Sequence, residues 1–200
     1  MAPDRTAGPD DRDRRPAHAG SLAGAVAVVT GASRGIGRGI ARELAALGGH
    51  VILVARDGEA LDAVARTIRD QGGRADWLAA DLRDADAAAR VVEFAVGRAG
   101  GLNILVNNAG ATRRAAFLEL GDDDWQDGFA LKVFGAVRLC RAAWPWLKKS
   151  RGSVVNIAGI GGRTPGAAFA VGGAVNAALL SLTKALADAG LADGIQVNAI

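Results

Sequence analysis

Residues 25–37, AVAVVTGASRGIG, join a short apolar run to a turn rich in glycine. The run AVAVVT (25–30) has the length and composition of a strand that is buried on both faces. The turn TGASRGIG (30–37) opens a helical pattern and spaces its glycines as G-x-x-x-G-x-G. Glycine lets the backbone turn tightly and approach a pyrophosphate, whose charge a helix N-terminus stabilises. An ordinary strand-to-helix turn has the same composition, so the rest of the chain has to decide between the two interpretations.

The alternation that begins there repeats along the chain. Short apolar runs alternate with segments whose apolar residues recur every three or four positions. This alternation predicts a parallel sheet with helices on both faces, a three-layered, doubly wound α/β domain of the Rossmann type. The predicted strands are 25–30, 50–55, 75–80, 102–107, 152–158 and 195–200, and the sequence ends with the sixth. The predicted helices run from the glycine turn to about 47, then over 59–71, 85–99, 122–149 with a break near Pro145, and 168–190.

The composition narrows the class of protein. The 200 residues carry a net charge of +3 on scattered basic residues, one cysteine and no zinc-type ligand spacing. We therefore expect no nucleic-acid partner and no metal, and a single cysteine suits a reducing cytoplasm. No apolar run has the roughly 18 residues of a membrane span, so we expect no membrane segment. Residues 1–20 are too polar to order themselves and predict a disordered tail, which leaves 21–200 as one domain.

Further motifs follow the glycine turn in a fixed order. DL (81–82) ends the third predicted strand and NNAG (107–110) ends the fourth. Both lie at the carboxyl edge, where open α/β sheets bind their ligands. LKVFG (131–135), GSVVNI (152–157) and GIQVNAI (194–200) come after them. From about residue 22 onward, this set of motifs resembles the short-chain dehydrogenase/reductase family.

The resemblance implies a domain that binds a nicotinamide dinucleotide over residues 21–200. It also implies a homodimer or homotetramer built on the helices at 122–149 and 168–190. The implied contacts to the pyrophosphate and the adjacent ribose are Thr30, Gly31, Ser33, Arg34, Gly35, Ile36 and Gly37. Asp81 and Leu82 would meet the adenine, and Asn108, Ala109 and Gly110 would line the middle of the dinucleotide.

The end of the second predicted strand indicates which dinucleotide binds. A carboxylate there would accept hydrogen bonds from a ribose 2′-OH and repel a 2′-phosphate, but this position holds Ala55, followed by Arg56. Arg34 lies in the loop opposite, and two guanidinium groups suit one phosphate. Asp57 is interpreted as the N-cap of the next helix. The prediction is NADP(H) rather than NAD(H), with two solvated arginines as the alternative.

The resemblance also implies where a catalytic tetrad should lie. Family members use a tyrosine as proton donor, a lysine four residues later, a serine after the fifth strand and an asparagine on the long helix. The corresponding positions here are Gly172, Asn176, Gly159 and Lys132, and the chain contains no tyrosine. The family's mechanism therefore does not transfer to this chain residue by residue.

Two interpretations of Lys132 stay open. A desolvated lysine has a lowered pKa and can transfer protons, or the side chain fills the gap or reaches a backbone carbonyl. Arg163 and Thr164 are candidate donors to a substrate oxygen. Gly172 and Gly173 predict either close helix packing or a cavity open to a ligand, and Phe169 is one turn away.

Two classes of function follow. The first is an NADP(H)-dependent oxidoreductase that acts on a carbonyl or alcohol through a rearranged or defective site. The second is a non-catalytic dinucleotide-binding protein or partner subunit. Members of the resembled family usually continue past VNAI (197–200) into a substrate-covering segment and a further strand, so the sequence does not identify a substrate.

Overall fold

A computed structural model describes residues 20–200 of the chain. The predicted tail therefore lies, except for its last residue, outside the described part. The strands are β1 (Val26–Thr30), β2 (His50–Ala55), β3 (Arg74–Ala79), β4 (Ile104–Asn107), β5 (Ser153–Asn156) and β6 (Gln196–Ala199). The helices are α1 (Gly35–Ala46), α2 (Gly58–Asp70), α3 (Ala87–Ala99), α4 (Asp122–Gly128), α5 (Gly135–Ser150) and α6 (Ala170–Gly190).

The six strands form one parallel sheet in the order β3-β2-β1-β4-β5-β6. The order reverses beside β1, which is the switch point of a doubly wound fold. Val28 and Val29 are both fully buried but belong to different clusters of the core. One cluster packs under α3 and α5 and the other under α1 and α2, which explains why the central strands β1 and β2 are almost continuously apolar. The predicted fold class is confirmed.

The predicted break near Pro145 is wrong. α5 continues through Pro145, because this residue and Arg141 lie on the exposed side, where water can bond the carbonyl that the proline leaves free. The irregularity lies earlier, in a π-helical turn over Phe129–Phe134 between α4 and α5. Such wide turns are frequent at functional sites. This one carries Lys132.

The expectation about membrane segments needs one correction. The segment Ala167–Asp193, which contains α6, has 27 residues and a mean hydropathy of 1.4, so it is long and apolar enough to cross a membrane by length and composition alone. The stretch also contains many small residues and three ionisable ones, Lys184, Asp188 and Asp193, so no continuous apolar run marks it in the sequence. In the fold, α6 packs against β5 and β6, and 39% of its most apolar window is buried. A core helix passes the same test.

Candidate functional site

The glycine turn lies between β1 and α1 and is shaped by two residues with positive φ. Gly31 and Gly35 have φ values of 65° and 55°, which other residues rarely adopt. A Cβ atom on Gly37 would lie 2.3 Å from the carbonyl oxygen of Gly31, so only glycine fits there. No side chain among residues 20–200 caps the N-terminus of α1, and no acidic residue lies in its first turn. Its N–H groups therefore face outward unpaired by side chains, as an anion site requires.

The end of β1 is tied to the segment after β4. The buried hydroxyl of Thr30 donates to the carbonyl of Val106 (3.2 Å) and accepts from the backbone N–H groups of Asn108 (2.9 Å) and Ala109 (3.0 Å). The amide of Asn108 donates to the carbonyl oxygens of Thr30 (2.9 Å) and Gly31 (3.3 Å). The side chains of Thr30 and Asn108 thus brace the glycine turn, and the single hydroxyl hydrogen of Thr30 is already used within the protein.

Arg34 and Arg56 both project into solvent beside the glycine turn. The side chain of Arg56 is 68% exposed and lies 3.9 Å from the Asp81 carboxylate. Arg34 is exposed and has no ion pair among residues 20–200. Asp57 accepts a hydrogen bond from the N–H of Ala60 (3.0 Å), which confirms it as the N-cap of α2. Both guanidinium groups are therefore accessible to a ligand, and no carboxylate stands between them at Ala55.

A network that the sequence did not predict fixes Asp81. Arg83 donates to Asp81 from its backbone N–H (3.0 Å) and from Nη1 (3.1 Å), and its guanidinium also binds Asp127 at the end of α4. Burial raises the pKa of Asp81, but the bonds from Arg83 outweigh it and hold this pKa below its usual range. Leu82 is buried against Gly135, which leaves only its backbone for a ligand. No sequence motif marks Arg83, because its contact with Asp127 arises only in the folded chain.

Lys132 enters the carboxyl edge of the sheet from the π-helical turn. A Cβ atom on Gly110 would lie 3.1 Å from its Nζ, so the ammonium occupies the space beside that glycine. Lys132 makes no hydrogen bond or ion pair with any residue that the structure describes. Burial alone lowers the pKa of Lys132 from its ordinary value. It is a desolvated amine at the edge of the predicted ligand site.

The three other predicted tetrad positions are joined by one side chain. Asn176 is buried, accepts a hydrogen bond from the N–H of Gly159 (2.7 Å) and donates one to the carbonyl of Gly172 (2.6 Å). A Cβ atom on Gly172 would lie 2.0 Å from the ring of Phe169, and one on Gly161 would lie 2.6 Å from it. Phe169 therefore fills the space above Gly172, and the alternative of a cavity at Gly172 is wrong.

Close packing also explains Gly173, where a Cβ atom would lie 2.6 Å from that of Pro165. Among the candidate donors, the side chains of Arg163 and Thr164 are exposed and make no hydrogen bond within residues 20–200. Cys140 is buried, and burial raises the pKa of its thiol to about 11, in line with a packing role. The described residues contain no group of three or more potential metal ligands.

A buried polar chain joins β4, β5 and α6 beneath this edge. Asn107 donates to Asn156 (2.9 Å), which donates to Thr183 (2.9 Å), whose hydroxyl donates to the carbonyl of Leu179 (2.7 Å). Asn107 and Asn156 stand directly opposite each other in the sheet register. The sequence signal for this hydrogen-bonded network was an asparagine at the end of each of two neighbouring strands. Its hydrogen bonds fix the ends of both strands.

Comparison with known proteins agrees with this architecture. The profile of the family described as short chain dehydrogenase matches residues 25–200. Fatty acyl-CoA reductase of Acinetobacter baylyi is 36% identical over 183 residues, which cover 90% of this chain and 62% of that protein. Gluconate 5-dehydrogenase of Gluconobacter oxydans is 35% identical over 181 residues, covering 90% of this chain and 71% of that protein. The chain thus spans less than two thirds of the acyl-CoA reductase.

Solved structures give the same result. L-sorbose reductase from Gluconobacter frateurii, complexed with NADPH and L-sorbose, superposes with a TM-score of 0.86 at 36% identity, covering 88% of this chain and 68% of that one. A metagenomic short-chain oxidoreductase in complex with NADP has the same TM-score and identity, covering 90% and 82%. The profile, the relatives and the fold together show that the chain belongs to the short-chain dehydrogenase/reductase family.

Proposed function

We propose that this protein binds NADP(H) and acts as an oxidoreductase on a carbonyl or alcohol, through a site in which all four tetrad positions of its family are substituted. Membership of an oxidoreductase family supports the class of reaction. The pairing of Arg34 and Arg56, with alanine at position 55, supports NADP(H) over NAD(H). Relatives that were solved with NADPH or NADP have the same fold, which supports the same choice.

The residues fit such a cofactor. The uncapped N-terminus of α1 and the tight approach at Gly37 suit a pyrophosphate, and Arg34 and Arg56 would bind the 2′-phosphate. Asp81, held ionised by Arg83, would accept a hydrogen bond from the adenine amine. Asn108, Ala109 and Gly110 would border the middle of the dinucleotide. When bound, the nicotinamide would supply or accept hydride.

The observation that carries an enzymatic role is the half-buried ammonium of Lys132 beside Gly110, which has no hydrogen-bond or ion-pair partner among residues 20–200. Its lowered pKa brings proton transfer closer to neutral pH, and its position allows Nζ–H to donate to a developing alkoxide. Phe169, Gly159 and Asn176 offer no ionisable hydrogen. Turnover should therefore depend on Lys132 and be slow, because a positioned acid contributes about 10²–10⁴-fold and an oriented oxygen donor about 10²–10³-fold.

The second candidate is a protein that binds the dinucleotide without turnover. The closed packing at position 172 favours it, since the Phe169 ring occupies the space that a proton-donating side chain would need. In that case, Lys132 would only fill the gap beside Gly110.

One set of variants separates the two candidates. The purified protein is incubated with NADPH and a panel of ketones, aldehydes and oxoacyl thioesters while the nicotinamide absorbance is followed. The matched pair is Lys132→Met and Lys184→Met, because Lys184 is exposed and paired with Asp188 on α6. Slow turnover that Lys132→Met abolishes and Lys184→Met preserves supports the enzyme. NADPH binding without turnover in the parent protein supports the second candidate, and absence of NADPH binding contradicts both.

We also propose a homodimer or homotetramer that assembles through α5 and α6. Between these helices lies a groove of about 480 Å³, lined mostly by apolar residues that include Val137, Trp144, Leu182 and Leu186. A second copy of the chain would cover it. Light scattering at micromolar concentration tests this proposal, and a monomer would contradict it. A cytoplasmic location is proposed because the single cysteine suits a reducing compartment.

A further inference from the structure

Two neighbouring arginines follow the segment NNAG, and their surroundings differ. Arg113 donates to the carboxylate of Asp124 (3.0 Å) and to the carbonyl of Glu119 (3.0 Å). Arg114 makes no hydrogen bond and no ion pair with any residue between 20 and 200. Arg113 is thus committed to holding its loop, whereas the donors of Arg114 are available.

Arg114 is nevertheless held in place. Its guanidinium lies over the ring of Phe169, 4.0 Å from the ring centre. Stacking of this kind covers one face of the guanidinium and leaves the N–H donors around its edge free to point at a ligand. A stacked guanidinium is oriented before any ligand arrives, so little side-chain freedom is lost when it binds a carboxylate or phosphate in bidentate fashion.

The same ring connects Arg114 to the candidate site. The Phe169 ring packs against Gly172 and Gly161. The side chain of Asn176 hydrogen-bonds to the backbone of both Gly172 and Gly159. Arg114 therefore stands one aromatic ring away from the tetrad positions. Lys132 lies near the same edge, beside Gly110, and has no carboxylate within 4.0 Å among the described residues. Neither cation has an ion-pair partner among residues 20–200, so each remains available to an anionic group.

We propose that Arg114 binds an oxyanion group of the substrate, so that the protein acts on carbonyl or alcohol compounds that carry a carboxylate or a phosphate. This inference rests on the proposed function, because it takes the edge near Gly159 and Gly172 as the substrate site. Phe169 orients the guanidinium for this contact.

The test compares charged and neutral probes of similar shape by isothermal titration calorimetry. Acetoacetate is paired with methyl acetoacetate, and dihydroxyacetone phosphate with dihydroxyacetone. Titrations are run with the protein alone and with NADP⁺ present, where no reduction of the ketone can occur. The variants are Arg114→Gln, Arg114→Lys and Phe169→Leu. Arg98→Gln is the matched control, because Arg98 lies over Phe94 (5.3 Å) on α3, away from the site.

We expect at least one anionic probe to bind about tenfold or more tightly than its neutral partner, as a charge-assisted pair predicts. Arg114→Gln should abolish that preference, Arg114→Lys and Phe169→Leu should reduce it, and Arg98→Gln should leave it unchanged. The pair with the larger preference identifies carboxylate or phosphate as the recognised group.

Equal binding of charged and neutral probes, or a preference that survives Arg114→Gln, overturns the inference. Thermal unfolding of each variant establishes that it is folded before its titration is interpreted, and Arg114→Lys provides a second variant should Arg114→Gln fail to fold. The proposed function fails separately, by absence of NADP⁺ binding, and the titrations without cofactor then still decide the role of Arg114.

Discussion

The carboxyl edge of the sheet has two ends that are built differently. The β1 end, formed by the glycine turn with Arg34, Arg56 and Asp81, is open, and its N–H groups and guanidiniums point outward. The α6 end, formed by Gly159, Phe169, Gly172 and Asn176, is closed by a ring and two hydrogen bonds. The two ends can differ in this way because they are carried by different strands and helices.

The largest effect is expected from reopening the α6 end. Gly159→Ser, Gly172→Tyr and Asn176→Lys alone should gain little, because a Cβ on Gly172 would lie 2.0 Å from the Phe169 ring. Adding Phe169→Ala removes that overlap, and ketone reduction should then rise by about 10²–10⁴-fold, the contribution of a positioned acid. Steady-state kinetics with NADPH measure it. No gain in the folded fourfold variant would mean that the scaffold no longer aligns a substrate.

The β1 end should respond most to filling its glycine turn. Gly37→Ala brings a Cβ to 2.3 Å from the carbonyl of Gly31 and should lower the free energy of unfolding by roughly 3 kcal/mol and weaken NADPH binding. Gly39→Ala is the control, because no atom lies within 4 Å of its added Cβ. Urea unfolding with and without NADPH gives both quantities. If the two variants behave alike, the tight approach at Gly37 is not needed.

Asn176→Ala tests whether the α6 end and the β1 end act independently. It removes the bonds to Gly159 and Gly172 and should lower the free energy of unfolding by about 1–2 kcal/mol. NADPH affinity should change little if the β1 end supplies most of the binding. Asn198→Ala serves as the control, since Asn198 is exposed on β6 and makes no side-chain bond within residues 20–200. A large loss of NADPH affinity in Asn176→Ala alone would show that the ends are coupled.

Arg56→Ala probes cofactor choice at the β1 end. NADPH should bind about tenfold more weakly, since the lost contact is charge-assisted but exposed, and NADH should bind as before. Fluorescence titration of both cofactors measures this. Arg90→Ala is the control, because Arg90 is an exposed arginine of α3 that pairs with Asp86, the N-cap residue of that helix. Equal affinity of the parent protein for NADPH and NADH would contradict the assignment of Arg34 and Arg56 to a 2′-phosphate.

The smallest effect concerns the charge of Lys132. Its folded-state pKa lies below the ordinary value of 10.5, so the unfolded chain binds more protons between these two values. Desolvation of the protonated amine therefore lowers the free energy of unfolding at every pH below the folded-state pKa. This destabilisation disappears as the pH rises to 10.5. Lys132→Met should stabilise the fold at pH 7, by about 1 kcal/mol or less, and lose this advantage at high pH. Thermal unfolding across pH checks it, and Lys184→Met should show no such trend.

The sequence by itself determined the order of strands and helices. AVAVVT and the other apolar runs are continuous because strands under helices on both faces expose neither side to water, and that pattern is local. Gly31 and Gly35 could also be assigned to a turn from the sequence, because the ability to adopt a positive φ is a local property of glycine. The π-helical turn over Phe129–Phe134 was missed because no residue type marks an i→i+5 hydrogen bond, and Pro145 indicated a break in the wrong place.

Tertiary structure alone decided how the α6 end is filled. The sequence drew attention to Phe169, Gly172 and Asn176 but left close packing and an open cavity as alternatives, because the direction of a side chain depends on neighbours far along the chain. The same holds for Arg83, which meets Asp127 across 44 residues, and for Arg114, which lies over Phe169. Local patterns therefore predicted the elements and the glycine turn, whereas the contacts that close or charge the site arise between distant residues and became visible only in the folded chain.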